Sequence, residues 1–206
     1  MSMLARTTLF LLATASLGAA DFTGGIQLGP AFPLGDMKTL TDSSTGGQFN
    51  LFGLWTIDGG HMIRARLDGT AASGKPQSIP SSAGNLKLNG DVKIDASIGS
   101  LGADYLYYIN GSRDAGPYFG AGLAAGTAKV SLANTSGNTS TTDYNSSSAV
   151  LGLYGGYQFN RHWSAELTFR SAKFKKTIVL TNGTNSASVD FSYSMPAVAV
   201  VAGYTF

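Results

Sequence analysis

Three residues of this chain have the types and spacing of a hydrolytic site: His162, Ser164 and Glu166, at i, i+2 and i+4. A serine nucleophile needs a base within hydrogen-bond reach, and a carboxylate can orient that base. On a β-strand the three side chains share one face, because successive residues alternate. The same geometry sets neighbours on that face roughly 6.6–6.8 Å apart, too far for a ready Ser–His bond. A polar strand wall is the stronger reading. A second set is electrostatic: Arg64, Arg66 and Asp68 on one run, Glu166 and Arg170 on another. If the apolar faces of those runs point outward, these charges point inward, where they are costly unless paired. Arg64 and Glu166 each lie four residues past a tight turn, which makes them the best-matched pair. A third set, Lys173, Lys175 and Lys176, crowds one strand end. It reads as a solvated rim or as an attractor of anionic lipid phosphates. With no cysteine, and with His61 and His162 each beside a turn, no metal-ligand cluster and no cofactor is expected.

The stretch that must position these residues is 148–170, two strand-like runs joined at Asn160-Arg161. In the first, Ala149, Leu151, Leu153, Gly155, Tyr157 and Phe159 oppose Val150, Gly152, Tyr154, Gly156 and Gln158. In the second, Trp163, Ala165, Leu167 and Phe169 alternate with His162, Ser164, Glu166, Thr168 and Arg170. A half-buried hairpin of a soluble protein alternates in the same way. The aromatics say more. Tyr157, Phe159 and Trp163 gather at the turn end, where a membrane barrel carries an interfacial girdle.

In chain order, strand patterns cover residues 21–32, 47–57, 61–71, 91–109, 117–132, 148–159, 162–179 and 188–206. Asp58-Gly59-Gly60 is a short hairpin connection. Residues 33–46, 72–90 and 133–147 read as long polar loops, and a shorter loop is expected around 182–185. In 91–109 the apolar phase moves from even (Val92, Ile94, Ala96, Ile98) to odd (Leu101, Ala103, Tyr105, Tyr107). A β-bulge near 99–102 is the expected device. Long and short connections alternate, as in membrane barrels with short inner turns and long outer loops. Trp55, Tyr105, Tyr107, Tyr108, Tyr118, Phe119, Tyr157, Phe159, Trp163, Tyr204 and Phe206 mark one belt; Phe32, Phe174, Phe191 and Tyr193 mark the other. A lipocalin-like soluble barrel would need charges on the wall from Trp163 to Phe169, which has none. The fold expected is all-β: an eight-stranded antiparallel up-and-down transmembrane β-barrel.

The N-terminus fits export. A weakly basic start, an apolar run over 7–17 and Gly18-Ala19-Ala20 before Asp21 read as a signal peptide over 1–20, leaving 21–206 as the barrel domain. Charged residues make up only 13% of the chain and the net charge is +2, so there is no basic footprint for nucleic acid.

The hairpin 155–166 (Gly155-Gly156-Tyr157-Gln158-Phe159-Asn160-Arg161-His162-Trp163-Ser164-Ala165-Glu166) resembles one in small outer-membrane β-barrels of the OmpA-like and opacity-protein type. Tyr204-Thr205-Phe206 is similar to the C-terminal signal that such proteins present to the barrel-assembly machinery. The resemblance covers 21–206 in pattern and is specific at those two places; Val201 departs from it, where glycine is common. It implies the barrel domain alone, in a Gram-negative-type outer membrane, in contact with lipid and lipopolysaccharide. The expected role is structural or surface-interacting, through the long loops. A narrow solute channel is the alternative, and a lipid A-modifying hydrolase, suggested by His-x-Ser on a strand, is third.

Overall fold

The computed structural model describes residues 22–78, 91–134, 141–182 and 185–206. The expected signal peptide, 1–20, lies outside the described residues. The elements are β1 (Phe22–Pro33), α1 (Gly35–Thr41), β2 (Gly46–Asp58), β3 (His61–Ala72), the three-residue β4 (Pro76–Ser78), β5 (Asp91–Tyr108), β6 (Gly116–Asn134), β7 (Thr141–Gln158), β8 (Trp163–Asn182) and β9 (Asn185–Thr205). The long strands run up and down, each antiparallel to the next. β1 closes on β9, with Ile26 opposite Tyr204 and Phe32 opposite Val198. β3 pairs directly with β5, Arg64 opposite Asp104, and β4 adds to the far end of β5. Eight strands therefore form a closed ring, which removes the open edges that a flat sheet must protect.

The β2–β3 turn shows why the sequence reads so clearly there. Gly59 and Gly60 both have positive φ, 54° and 88°, the conformation that a two-residue hairpin requires of its central residues. Apart from a register shift between Thr56 and Asp58 beside that turn, the faces alternate along β2 and β3. Leu51, Ile63, Leu67, Leu101, Leu123, Leu153 and Leu167 are exposed on the outside, while Arg64, Arg66, Asp68 and Glu166 are buried inside. The distribution is inverted relative to a soluble barrel.

β5 carries no bulge. Its ladder with β3 is unbroken from Tyr107–His61 to Ala96–Ala72, and with β6 from Tyr108–Tyr118 to Val92–Asn134. From Ile94 to Tyr108 the even-numbered residues face inward, so Ala96 and Ile98 are buried in the lumen. The phase change in the sequence marks a change in what fills the barrel: charge midway, apolar side chains at the end away from the short turns.

That apolar filling captures α1. Residues 33–46 are not a free loop; Met37 is fully buried in the mouth with Ile98, Val150, Phe174 and Met195. The Asp36 carboxylate accepts the Ser194 N–H at 2.8 Å, and the Lys75 N–H donates to the Thr41 carbonyl at 3.1 Å. The aromatic belts need correction for the same reason. Tyr108 and Tyr118 stack inside the lumen with ring centroids 4.7 Å apart, Phe174 is buried, and Tyr193 packs on the same cluster. Each occupies an inward position of its strand, and parity overrides position along it. The turn-end girdle otherwise stands, with Tyr105, Phe119, Tyr157, Phe159, Trp163 and Phe206 exposed and Phe22 added to it. Phe32 faces outward at the far end, and the Phe191 side chain lies outside the described residues.

Residues 133–147 and 182–185 were expected as loops, yet Asn134 ends β6, Thr141 begins β7 and Asn182 pairs with Asn185. Main-chain pairing needs no apolar period, so these Ser-, Thr- and Asn-rich strands leave no hydrophobic signature. As a result β5 to β9 have 18–21 residues against 12 or 13 for β1 to β3. β7 and β8 pair only from Gln158–Ser164 to Leu151–Ser171. Beyond that, the Ser148 and Ser146 hydroxyls accept the N–H groups of Lys173 and Lys175 at 2.9 and 3.1 Å. Past this seam, β6–β7 and β8–β9 continue as two ribbons.

Candidate functional site

β3 delivers Arg64, Arg66 and Asp68 to the lumen at alternate positions, β8 delivers Glu166 and Arg170, and β5 delivers Ser100 and Asp104. Arg64 Nε donates to Asp104 Oδ2 at 2.9 Å, and its Nη1 donates to Glu166 Oε2 at 2.7 Å. Arg66 forks onto Asp104, Nε to Oδ2 at 2.9 Å and Nη2 to Oδ1 at 3.0 Å, and also pairs with Asp68. Arg170 pairs with Asp68 and donates to Ser100 Oγ at 2.8 Å, while Ser100 donates to Asp68 Oδ1 at 2.9 Å. Tyr118 Oη donates to Glu166 Oε2 at 3.0 Å. The Arg64 and Arg66 guanidinium carbons lie 4.6 and 5.1 Å from the centre of the Tyr154 ring, within cation–π range.

Three guanidinium groups thus meet three carboxylates, and the layer is neutral. The five charges singled out in the sequence are brought together; Asp104, Ser100, Tyr118 and Tyr154 were missed. Charge balance was the available signal for Asp104. Three inward arginines against two inward acids leave one positive charge unpaired, and Asp104 supplies the missing acid on an adjacent strand. Room for the layer comes from glycines facing it. A Cβ at Gly122 would strike the Asp104 carboxylate, and one at Gly156 the Tyr118 ring.

On β1, β2 and β8 an uncharged relay adjoins this layer. Asn50 Nδ2 donates to Gln27 Oε1 at 2.9 Å, Gln48 Nε2 to Asn50 Oδ1 at 3.3 Å, and Thr168 Oγ1 to Gln48 Oε1 at 3.1 Å. Toward the short turns the lumen fills with Leu54, Met62, Leu106 and the Tyr108–Tyr118 stack. Toward the far end it fills with the apolar cluster under α1. The charged layer lies between these two clusters.

His162, Ser164 and Glu166 do not assemble as a catalytic set. The exposed His162 ring stacks on Tyr204, and its Nδ1 lies 2.9 Å from the Thr205 carbonyl. Ser164 is buried with its Oγ over Gly203, and Glu166 is engaged by Arg64 and Tyr118. Lys173, Lys175 and Lys176 are exposed on β8, and among the described residues none has a carboxylate partner. Phe206 is exposed, its N–H donating to the Gly24 carbonyl at 2.9 Å, and Tyr204 packs edge-on against Trp163.

No protein-family model matches the chain, and no curated protein matches it. Solved structures do. The outer membrane protein OprG from Pseudomonas aeruginosa superposes with a TM-score of 0.53 at 15% identity, over 92% of this chain and 98% of that one. A major outer membrane protein from Thermus thermophilus gives 0.53 at 16%, over 90% and 100%. Ail, the attachment invasion locus protein of Yersinia pestis, gives 0.53 at 10%, over 91% and 99%. At these identities the likeness is one of fold. The chain has the fold of the small eight-stranded outer-membrane β-barrels.

Proposed function

We propose that this chain is an integral outer-membrane barrel with a sealed lumen, and that its role is interaction at the cell surface through the ribbons β6–β7 and β8–β9. One observation carries the reading: a neutral charged layer held between an apolar outer plug containing Met37 and a tyrosine-stacked inner layer. An eight-stranded barrel has an interior just wide enough for side chains, and here they fill it. A membrane strand needs about 9–11 residues, so roughly half of each 18–21-residue strand projects beyond the bilayer. That length is well in excess of what anchoring requires. By the resemblance at Tyr204 and Phe206, the barrel-assembly machinery is its partner during insertion.

Planar-bilayer recording of the refolded barrel tests the sealed lumen. Silence at physiological voltage is expected. Stable open-channel steps would replace this reading with the narrow solute channel.

A further inference from the structure

The outside of the barrel carries apolar grooves, one lined by Leu28, Phe49 and Ala71 and a second on β5–β8. Around Ala103 and Ala121 runs a groove of about 660 Å³, walled by Leu123, Leu151, Leu153 and Phe169. It ends at Ser171, and along the same outward face of β8 the next residues are Lys173 and Lys175. Ten residues counted from Trp163 in the girdle end at Ala172, so these lysines sit at the outer edge of the hydrocarbon and the groove lies below them. Other outward lysines are neutralised: Lys93 lies 3.4 Å from Asp95, and Lys129 lies 2.7 Å from Asp143. Lys173 and Lys175 have no such partner among the described residues. Lysines without a carboxylate partner among the described residues and an apolar groove therefore share one face, β5–β8, in the order in which a lipid presents phosphate and acyl chain.

We infer that this face binds one phosphorylated outer-leaflet lipid of the lipid A kind, phosphate on Lys173 and Lys175, one acyl chain along Ala103 and Ala121. The site rests on the outer-membrane reading above. Charge complementarity selects an anionic headgroup, and the groove distinguishes a seated lipid from a diffuse attraction.

Native mass spectrometry of the barrel in neutral detergent, titrated with bisphosphorylated lipid A, tests the site. Wild type should retain one lipid saturably. Lys173→Gln and Lys175→Gln should each weaken retention roughly fivefold. Ala121→Phe, which fills the groove and leaves the lysines intact, should weaken it as well; Ala103→Leu serves if that variant does not fold. Dephosphorylated lipid A should bind more weakly to wild type and no differently to the lysine variants. Lys93→Gln and Lys129→Gln should match wild type. Retention equal to wild type in a variant carrying both Lys173→Gln and Lys175→Gln overturns the site, and so does unchanged retention by a folded groove variant. Cell fractionation separately tests the outer-membrane reading, since lipid A binding in detergent does not depend on where cells place the protein.

Discussion

Arg64 and Glu166 lie 102 residues apart in sequence and 2.7 Å apart in space, joined across the lumen from β3 to β8. The same guanidinium reaches Asp104 on β5, so one side chain ties three strands together. Breaking a buried pair from one side typically costs about 3–5 kcal/mol, because the remaining charge is stranded. Glu166→Gln should lower the unfolding free energy by an amount in that range, seen as a lower urea midpoint, and Arg64→Met added to it should restore part of the loss. His162→Ala, at an exposed position, should stay within about 0.5 kcal/mol of wild type, and Ser164→Ala, which strands no charge, should cost no more than about 1.5 kcal/mol. A hydrolase predicts the reverse: unchanged stability, and an acyl chain lost from lipid A that the Ser164→Ala variant retains. Urea unfolding with mass spectrometry of lipid A separates the two.

Met37 is fully buried although it belongs to the connection between β1 and β2. Met37→Ala should cost about 2–5 kcal/mol, as for other buried methionines. Unfolding in detergent measures it. A cost below about 0.5 kcal/mol would mean that α1 does not hold the mouth.

The chain has no cysteine, so single labels report orientation. Ser147→Cys, on an exposed ribbon position, should react with a membrane-impermeant maleimide on intact cells. Asp114→Cys, in the β5–β6 turn, should react only after permeabilisation. The opposite pattern would invert the barrel.

Between two short turns the Arg161 side chain donates to Asp114 Oδ1 at 2.7 Å, and that hydrogen bond holds the Asp114 carboxyl below the ordinary carboxylate range. A folded value below the unfolded one adds stability above the unfolded pKa and loses it as pH falls through the folded value. The contribution is therefore present at neutral pH and disappears in acid. NMR titration should show Asp114 moving up in Arg161→Gln; an unmoved midpoint would discard the bond.

Phe206 is exposed on the outside of the barrel and contributes roughly 1.5–3 kcal/mol if lipid covers it. Deleting it should lower outer-membrane yield in cells more than refolding yield in detergent. Equal yields in cells would remove its role in assembly.

Legibility in the sequence followed the contrast between the two walls of each strand. On β3 and β8 one wall is apolar and the other charged, so Arg64, Arg66, Asp68, Glu166 and Arg170 could be placed inward from parity alone. On β5 the rule that apolar means outward fails, because Ala96 and Ile98 face a lumen that is itself apolar at that height. A slip in phase is then indistinguishable from a change in filling. α1 gives even less to read: seven residues with one deeply buried apolar side chain carry no helical period, and short helices are marginal without packing. Of the turns, the one with Gly59 and Gly60 at positive φ was plain.

The ribbons beyond the β7–β8 seam are held by main-chain bonds, with Ser146 and Ser148 stitching their base. A main-chain ladder is nearly indifferent to the side chains hung on it, and here neither lipid nor a packed lumen imposes a preference at exposed positions such as Asn145 and Ser147. The membrane-spanning half has no such latitude, since each residue there answers to the bilayer or to the interior. Mutational tolerance is thus partitioned along the strand axis. In the proposed orientation, the part of the molecule that meets the outside world is the part whose surface can be rewritten without unmaking the barrel beneath it.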